Sequence, residues 1–151
     1  MLKQMPLIII VLFLLFPAEK LHSMEEYFLT LRNNQVNLRQ GPSFSYPVKI
    51  FYKKKFLPVL IQDNSGNFRK IRDHENNSGW IHISQLSKKK AAITLEDKLI
   101  LFSNPTIYSN PIATLEKGRL VRISKCTNDW CKIKSSNYKG WLKKSSLWGL
   151  L

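Results

Sequence analysis

From Met24 onward the apolar residues fall in short runs, either alternating with polar residues or continuous over a few positions. No long segment repeats at the 3.6-residue period of a surface helix. Gly, Pro, Asn and Ser bound the runs, which predicts strands and turns. Strands are expected over 27–31, 36–39, 48–52, 57–62, 68–72 and 79–82. A second set is expected over 92–95, 107–109, 112–115, 120–125, 130–134 and 140–143. Between them sit turn clusters such as Gln40-Gly41-Pro42-Ser43 and Asp63-Asn64-Ser65-Gly66-Asn67. Many short, regularly spaced strands argue for an all-β sandwich or barrel architecture.

The pattern also repeats. Gly79-Trp80-Ile81-His82 with Ser84 and Leu86 matches Gly140-Trp141-Leu142-Lys143 with Ser145 and Leu147. Upstream, Val59-Leu60-Ile61 and Phe68-Arg69-Lys70-Ile71 match Val121-Arg122-Ile123 and Trp130-Cys131-Lys132-Ile133. Pro47-Val48 pairs with Pro111-Ile112 at a different offset. A recurrence of this length suits two small barrels in tandem, over 24–90 and 91–151. Lys88-Lys89-Lys90 falls between the copies as the linker edge. Each copy is near the lower size limit for an independent core, so its large aromatics must carry much of the buried area. Trp80 and Trp141 are therefore read first as packing residues, with ligand contact as the alternative. Gly79 and Gly140 suit a bend or a close backbone approach. Arg39 either braces the Gly41-Pro42 turn, through carbonyls or Asp73, or is a solvated surface residue.

Residues 1–23 do not fit either copy. Lys3, the apolar run Leu7 to Phe16 and the polar stretch Pro17 to Ser23 follow the order of a secretory signal peptide. The apolar run is roughly half of the ~20 residues that span a bilayer, so no stable transmembrane anchor is expected. Export implies a periplasmic or secreted protein. The whole chain has a formal net charge of +14. Removal of 1–23 takes away Lys3, Lys20 and Glu19 and leaves 22 basic and 9 acidic residues, a net +13. Such a charge points to an anionic partner and says nothing of fold. Basic stretches interleaved with aromatics are also a nucleic-acid footprint, but an exported protein does not meet the genome.

Cys126 and Cys131 are the two cysteines. Four intervening residues suit a tight hairpin closed by a disulfide, since opposed antiparallel residues lie within bridging reach. Free thiols and a metal site are the alternatives. Zinc usually wants CxxC-like spacing and further ligands, and only His74 and His82 remain after the leader.

The segment Val36-Asn37-Leu38-Arg39-Gln40-Gly41-Pro42-Ser43, continuing to Tyr46-Pro47-Val48, resembles the opening of bacterial SH3-like (Src homology 3) domains. The Gly-Trp-aliphatic close of each copy resembles that family's last strand. The chain is similar to an exported alphaproteobacterial subgroup that pairs Ile71-Arg72-Asp73 with Cys-x4-Cys and Leu147-Trp148-Gly149. Ile107-Tyr108-Ser109-Asn110-Pro111 departs from the opening pattern, so the second copy rests on its second half. The resemblance implies a five-stranded barrel per copy and a binding role, not a reaction.

The titratable residues agree. No nucleophile is evident beside His74 or His82, and the carboxylate pairs Glu25-Glu26, Glu96-Asp97 and Asp73/Glu75 read as solvated or ion-paired. The chain is read as non-enzymatic, with no catalytic residue, cofactor or metal. Binding would use aromatics flanked by charge: Tyr46, Tyr52 and Phe68 with Lys53, Lys54 and Lys55 in the first copy. Tyr108, Trp130 and Tyr138 with Lys143 and Lys144 serve the second. The expected ligand is peptidoglycan or another anionic wall polymer, whose stem peptides carry carboxylates and whose sugars stack on aromatic faces. The alternative is a periplasmic scaffold that recognises a peptide segment of an envelope protein.

Overall fold

The computed structural model describes residues 23–151; all of the expected leader except Ser23 lies outside them. Each half of the chain is one seven-stranded antiparallel sheet. The first half runs β1 (Tyr27–Leu31), β2 (Val36–Arg39), β3 (Val48–Tyr52), β4 (Pro58–Ser65), β5 (Phe68–Arg72), β6 (Ser78–His82) and β7 (Leu86–Ser87). The second runs β8 (Ala91–Thr94), β9 (Leu99–Phe102), β10 (Pro111–Leu115), β11 (Leu120–Thr127), β12 (Trp130–Ser135), β13 (Tyr138–Lys143) and β14 (Leu147–Trp148). The strand orders, β3-β2-β6-β5-β4-β1-β7 and β10-β9-β13-β12-β11-β8-β14, are the same topology twice. A single 3-10 turn precedes the last strand of each half, at Ile83–Gln85 and Lys144–Ser146. Five strands per copy were expected. The sheets have seven because the five-residue strands β3 and β10, which alternation also predicts, and the two-residue strands β7 and β14 stand at the ends of the order.

Alternation along the strands places the cores. In β2, Val36 and Leu38 are buried while Asn37 and Arg39 are half-buried. In β12, Cys131, Ile133 and Ser135 are buried and the intervening residues are more exposed. β4 and β11 run on past the core as two-stranded ribbons, each with a bulge, between Ile61 and Asp63 and between Ile123 and Lys125. Close approach explains the glycine before each tryptophan. A Cβ at Gly79 would lie 2.7 Å from the Arg39 carbonyl, and one at Gly140 would lie 2.6 Å from the Phe102 carbonyl.

Two elements differ from expectation. Residues 107–109 form part of a loop, because Ile107 and Tyr108 are exposed and have no ladder partner among the described residues. The continuous run Leu99-Ile100-Leu101-Phe102 is a strand instead, with Leu101 in the second core.

The halves are packed on each other. All four residues of β8 are buried. Its pleat explains this: Ile93 enters the first core and Ala92 the second. Leu120 also packs on the first core. Phe28 meets Trp148 edge to face at 4.9 Å, and the Arg122 guanidinium lies 3.7 Å from the Phe56 ring centroid. Phe56 holds a left-handed backbone (φ 66°) just before β4, where Gly118 stands before β11. For a bulky residue that conformation costs about 1–2 kcal/mol, which its contact with Arg122 helps to offset.

Candidate binding site

The loop that follows the second strand has one geometry in both halves. In the first, Gln40 N–H donates to Pro47 O (3.1 Å), Ser43 N–H to Gly41 O (2.9 Å) and Tyr46 N–H to Ser43 O (3.3 Å). In the second, Ser103 N–H donates to Asn110 O (2.9 Å), Thr106 N–H to Asn104 O (2.8 Å) and Ser109 N–H to Thr106 O (3.3 Å). Residues 40–47 thus correspond one to one with 103–110, and Val48 with Pro111. The second copy therefore opens like the first, although its sequence lacks Gly-Pro. Phe44 and Ile107 become equivalent, as do Arg39 and Phe102. The ladders extend the match: Phe68 sits opposite His82 as Trp130 sits opposite Lys143.

Phe44 is the exposed centre of the first face, with 65% of its surface accessible. Its ring lies 5.2 Å from Phe68 and 5.1 Å from His82. Arg39 holds the loop by donating Nη1 to the carbonyls of Phe44 (3.2 Å) and Tyr46 (2.9 Å), with its guanidinium 5.4 Å from the Phe44 ring. His82 Nδ1 accepts from the Ser84 N–H at 3.2 Å, which orients the imidazole at the rim.

In the second half, Trp130 packs edge to face on Phe102 at 5.8 Å, and Lys143 Nζ stands 6.0 Å from its ring. These two residues form a ridge between two grooves. One is lined by Pro105, Ile107, Asp129 and Lys144, the other by Glu96, Lys98 and Ile100. The Lys144 N–H donates to Asp129 O at 2.8 Å and closes the first groove. Behind Trp130 the β11–β12 hairpin is bridged by Cys126–Cys131, a directly opposed pair with Cα atoms 4.0 Å apart.

The structure separates the residues named from sequence. Trp130, Lys143 and Lys144 come together. Tyr46 is exposed on the opening loop and covers Gly41, where a Cβ would lie 2.5 Å from its ring. Tyr52 is not a groove residue; it is buried, and its hydroxyl donates to Asp73 Oδ2 at 2.8 Å. Burial raises its pKa well above the usual tyrosine range, helped by that hydrogen bond and by the charges of Asp73 and Glu75. Phe68 is also buried, as the floor under Phe44. Lys53, Lys54 and Lys55 are exposed but sit at the far end of β3 from the opening loop, roughly 16 Å away at strand rise. Lys55 stands over Phe56 instead, at 5.1 Å. Tyr108 is 91% exposed at the loop tip, and Tyr138 lies at the opposite end of β13 from Lys143. Trp141 is buried and Trp80 half-buried beside Arg39. Sequence reasoning missed Phe44, Ile107 and Phe102, and gave His82 no binding role. An aromatic two residues after Gly-Pro, inside a turn, was the available signal for Phe44.

A family model described as "Bacterial SH3 domain" matches residues 32–88 and again 96–149. The chain belongs to the bacterial SH3 domain family. The two matched stretches cover β2 to β7 and β9 to β14, one in each sheet, so each half contains one SH3 module. No curated protein gives a significant match to the chain. Among solved structures the chain is similar to NlpC2 from Trichomonas vaginalis, at 15% identity, TM-score 0.38, 82% of this chain and 48% of that one. It is similar at the same TM-score to an NlpC/P60 family protein from Bacillus cereus, at 12% identity, 80% of this chain and 55% of that one. The chain thus spans about half the length of these structures. Among the described residues no helix is long and apolar enough to cross a membrane.

Proposed function

We propose that this protein is a non-catalytic binding protein of the cell envelope, exported by residues 1–23, whose two SH3 modules hold peptidoglycan or a similar anionic wall polymer. The observation that carries this reading is the recurrence of an exposed apolar surface beside cationic or imidazole groups at the same place in both modules. Phe44 with Arg39 and His82 offers it in the first, and Ile107 and Trp130 with Lys143 in the second. A sugar face can stack on such rings while stem-peptide carboxylates pair with the cations. The net +13 of residues 24–151 adds attraction at long range. Bridging of Cys126 to Cys131 leaves neither as a thiol nucleophile, which favours binding over cysteine-based hydrolysis.

Cosedimentation of the mature protein with purified sacculi tests the reading. Binding should fall steeply with salt, as expected for exposed charges. Phe44→Ala and Trp130→Ala should each weaken it by about tenfold, the equivalent of one aromatic contact of ~1.4 kcal/mol. Binding that ignores both substitutions would overturn the assignment. N-terminal sequencing of the mature protein should begin near Met24; recovery of intact Met1 in the soluble cytoplasm would overturn the export.

A further inference from the structure

The two modules finish differently. In the second, β14 pairs with β8 opposite Ile93 and Thr94. The chain then continues along that edge, where a Cβ on Gly149 would lie 2.7 Å from the Ala91 carbonyl. In the first, β7 makes the same two-residue ladder with β1, opposite Thr30 and Leu31. The chain must then leave the sheet to reach β8. Thr30 Oγ1 catches it by donating to Lys89 O at 2.7 Å. The remainder of β1, Tyr27 to Leu29, pairs with β4 on one side and has no strand on the other among the described residues.

Backbone parity identifies the groups on that open edge. Leu31 N–H donates to Leu57 O on the β4 side, and Arg32 N–H to Gln85 O on the β7 side. Side alternates residue by residue along a strand, so Phe28 directs its N–H and C=O to the side that carries no strand. Its ring stays anchored on Trp148. Exposed Lys88, Lys89 and Lys90 line one flank of this edge together with Gly149, Leu150 and Leu151, and Arg32 and Arg69 line the other. No Asp or Glu side chain lines either flank. Lysines on an edge strand discourage unselective pairing, and they equally select a strand of opposite charge.

We propose that the open edge of β1, beside Lys88–Lys90, is a docking site for an extended acidic peptide segment of a partner protein, which adds to the first sheet as a further strand. Backbone hydrogen bonds at Phe28 would set its register, and the flanking cations would select carboxylate side chains. This site is separate from the polymer-binding faces around Phe44 and Trp130 and stands or falls without them.

The test uses the mature chain and a labelled short peptide of alternating valine and glutamate, followed by fluorescence anisotropy. A twin peptide N-methylated at every second residue lacks half the backbone donors. The acidic peptide should bind, and N-methylation should weaken it by about tenfold or more, the loss of one to two backbone hydrogen bonds. The triple variant K88S/K89S/K90S should lose binding while remaining folded, and Phe44→Ala should bind normally. Hydrogen exchange at the Phe28 amide should slow when the peptide is added. Equal affinity for the N-methylated peptide would overturn the proposal, since attraction would then be charge alone. So would failure of the acidic peptide to bind, or loss of sacculus binding in the triple variant, which would place the wall polymer in this groove.

Discussion

At the scale of single residues, Tyr52 and Asp73 explain the Ile71-Arg72-Asp73 segment. Asp73 is buried, and its carboxylate accepts from the Tyr52 hydroxyl, from the Glu75 and Asn77 N–H groups and from Asn77 Nδ2. A buried charge without a cation is tolerated when its oxygens are this fully hydrogen-bonded. Tyr52→Phe removes one charged hydrogen bond and should cost about 1.5–3 kcal/mol in denaturant unfolding. The raised Tyr52 pKa also has a sign. Above pH ~10 the unfolded chain loses the phenolic proton while the folded chain keeps it, so the folded state binds more protons. Stability therefore falls as pH rises from about 10. Tyr52→Phe should flatten that alkaline limb; an unchanged slope would contradict the buried, neutral phenol. The sequence reading placed Tyr52 in a binding groove, because the polar partner that holds it in the interior lies 21 positions away and has no local signal.

At the scale of elements, the hairpins were the most readable parts. The spacing of Cys126 and Cys131 anticipated an opposed, bridged pair, and β11–β12 has it. Cys126→Ala should lower stability by roughly 2 kcal/mol in the chain-entropy account, and a reductant should reproduce the loss in the parent chain. Because Trp130 lies inside the loop that the bridge closes, the same substitution should also weaken sacculus binding. The Gly-Trp strands were equally clear, and the reason for their glycine is the neighbouring strand. Gly79→Ala would press a methyl on the Arg39 carbonyl and Leu38. It should destabilise by about 1–3 kcal/mol as overpacking, measured as a shift of the denaturation midpoint. The loop at 103–110 was harder, because Ile107 and Tyr108 have strand-like character and only backbone hydrogen bonds reveal the shared geometry.

At the scale of the whole molecule, the two modules are coupled. Ile93 belongs to the first core although its strand lies in the second sheet, and Trp148 of the second sheet covers Phe28 of the first. His74 adds to the same contact, its ring 6.1 Å from that of Trp148. The motif Leu147-Trp148-Gly149 thus serves docking: Trp148 fills the junction and Gly149 lets the chain pass Ala91. The parent protein should unfold in one calorimetric transition. Trp148→Ala should lower the transition temperature and separate it into two; a parent that already melts in two steps would contradict the shared core.

The sequence by itself determined the strand-rich architecture, the tandem repeat, the opening Gly-Pro loop of the first module and the cysteine hairpin. Each of these is written in short-range pattern: alternation at period two, turn residues and close spacing. Tertiary structure decided which aromatics face solvent. Tyr52 and Phe68 resemble Phe44 and Trp130 in composition, yet the pleat buries the first two, while the loop exposes Phe44 and the ridge leaves Trp130 half-buried. It also decided where the lysines act. Lys53, Lys54 and Lys55 follow β3 closely in sequence, but the length of that strand carries them from the Phe44 face to the junction between the modules, where Lys55 and Arg122 meet Phe56. Such placement depends on contacts far apart in the chain, which no local pattern records.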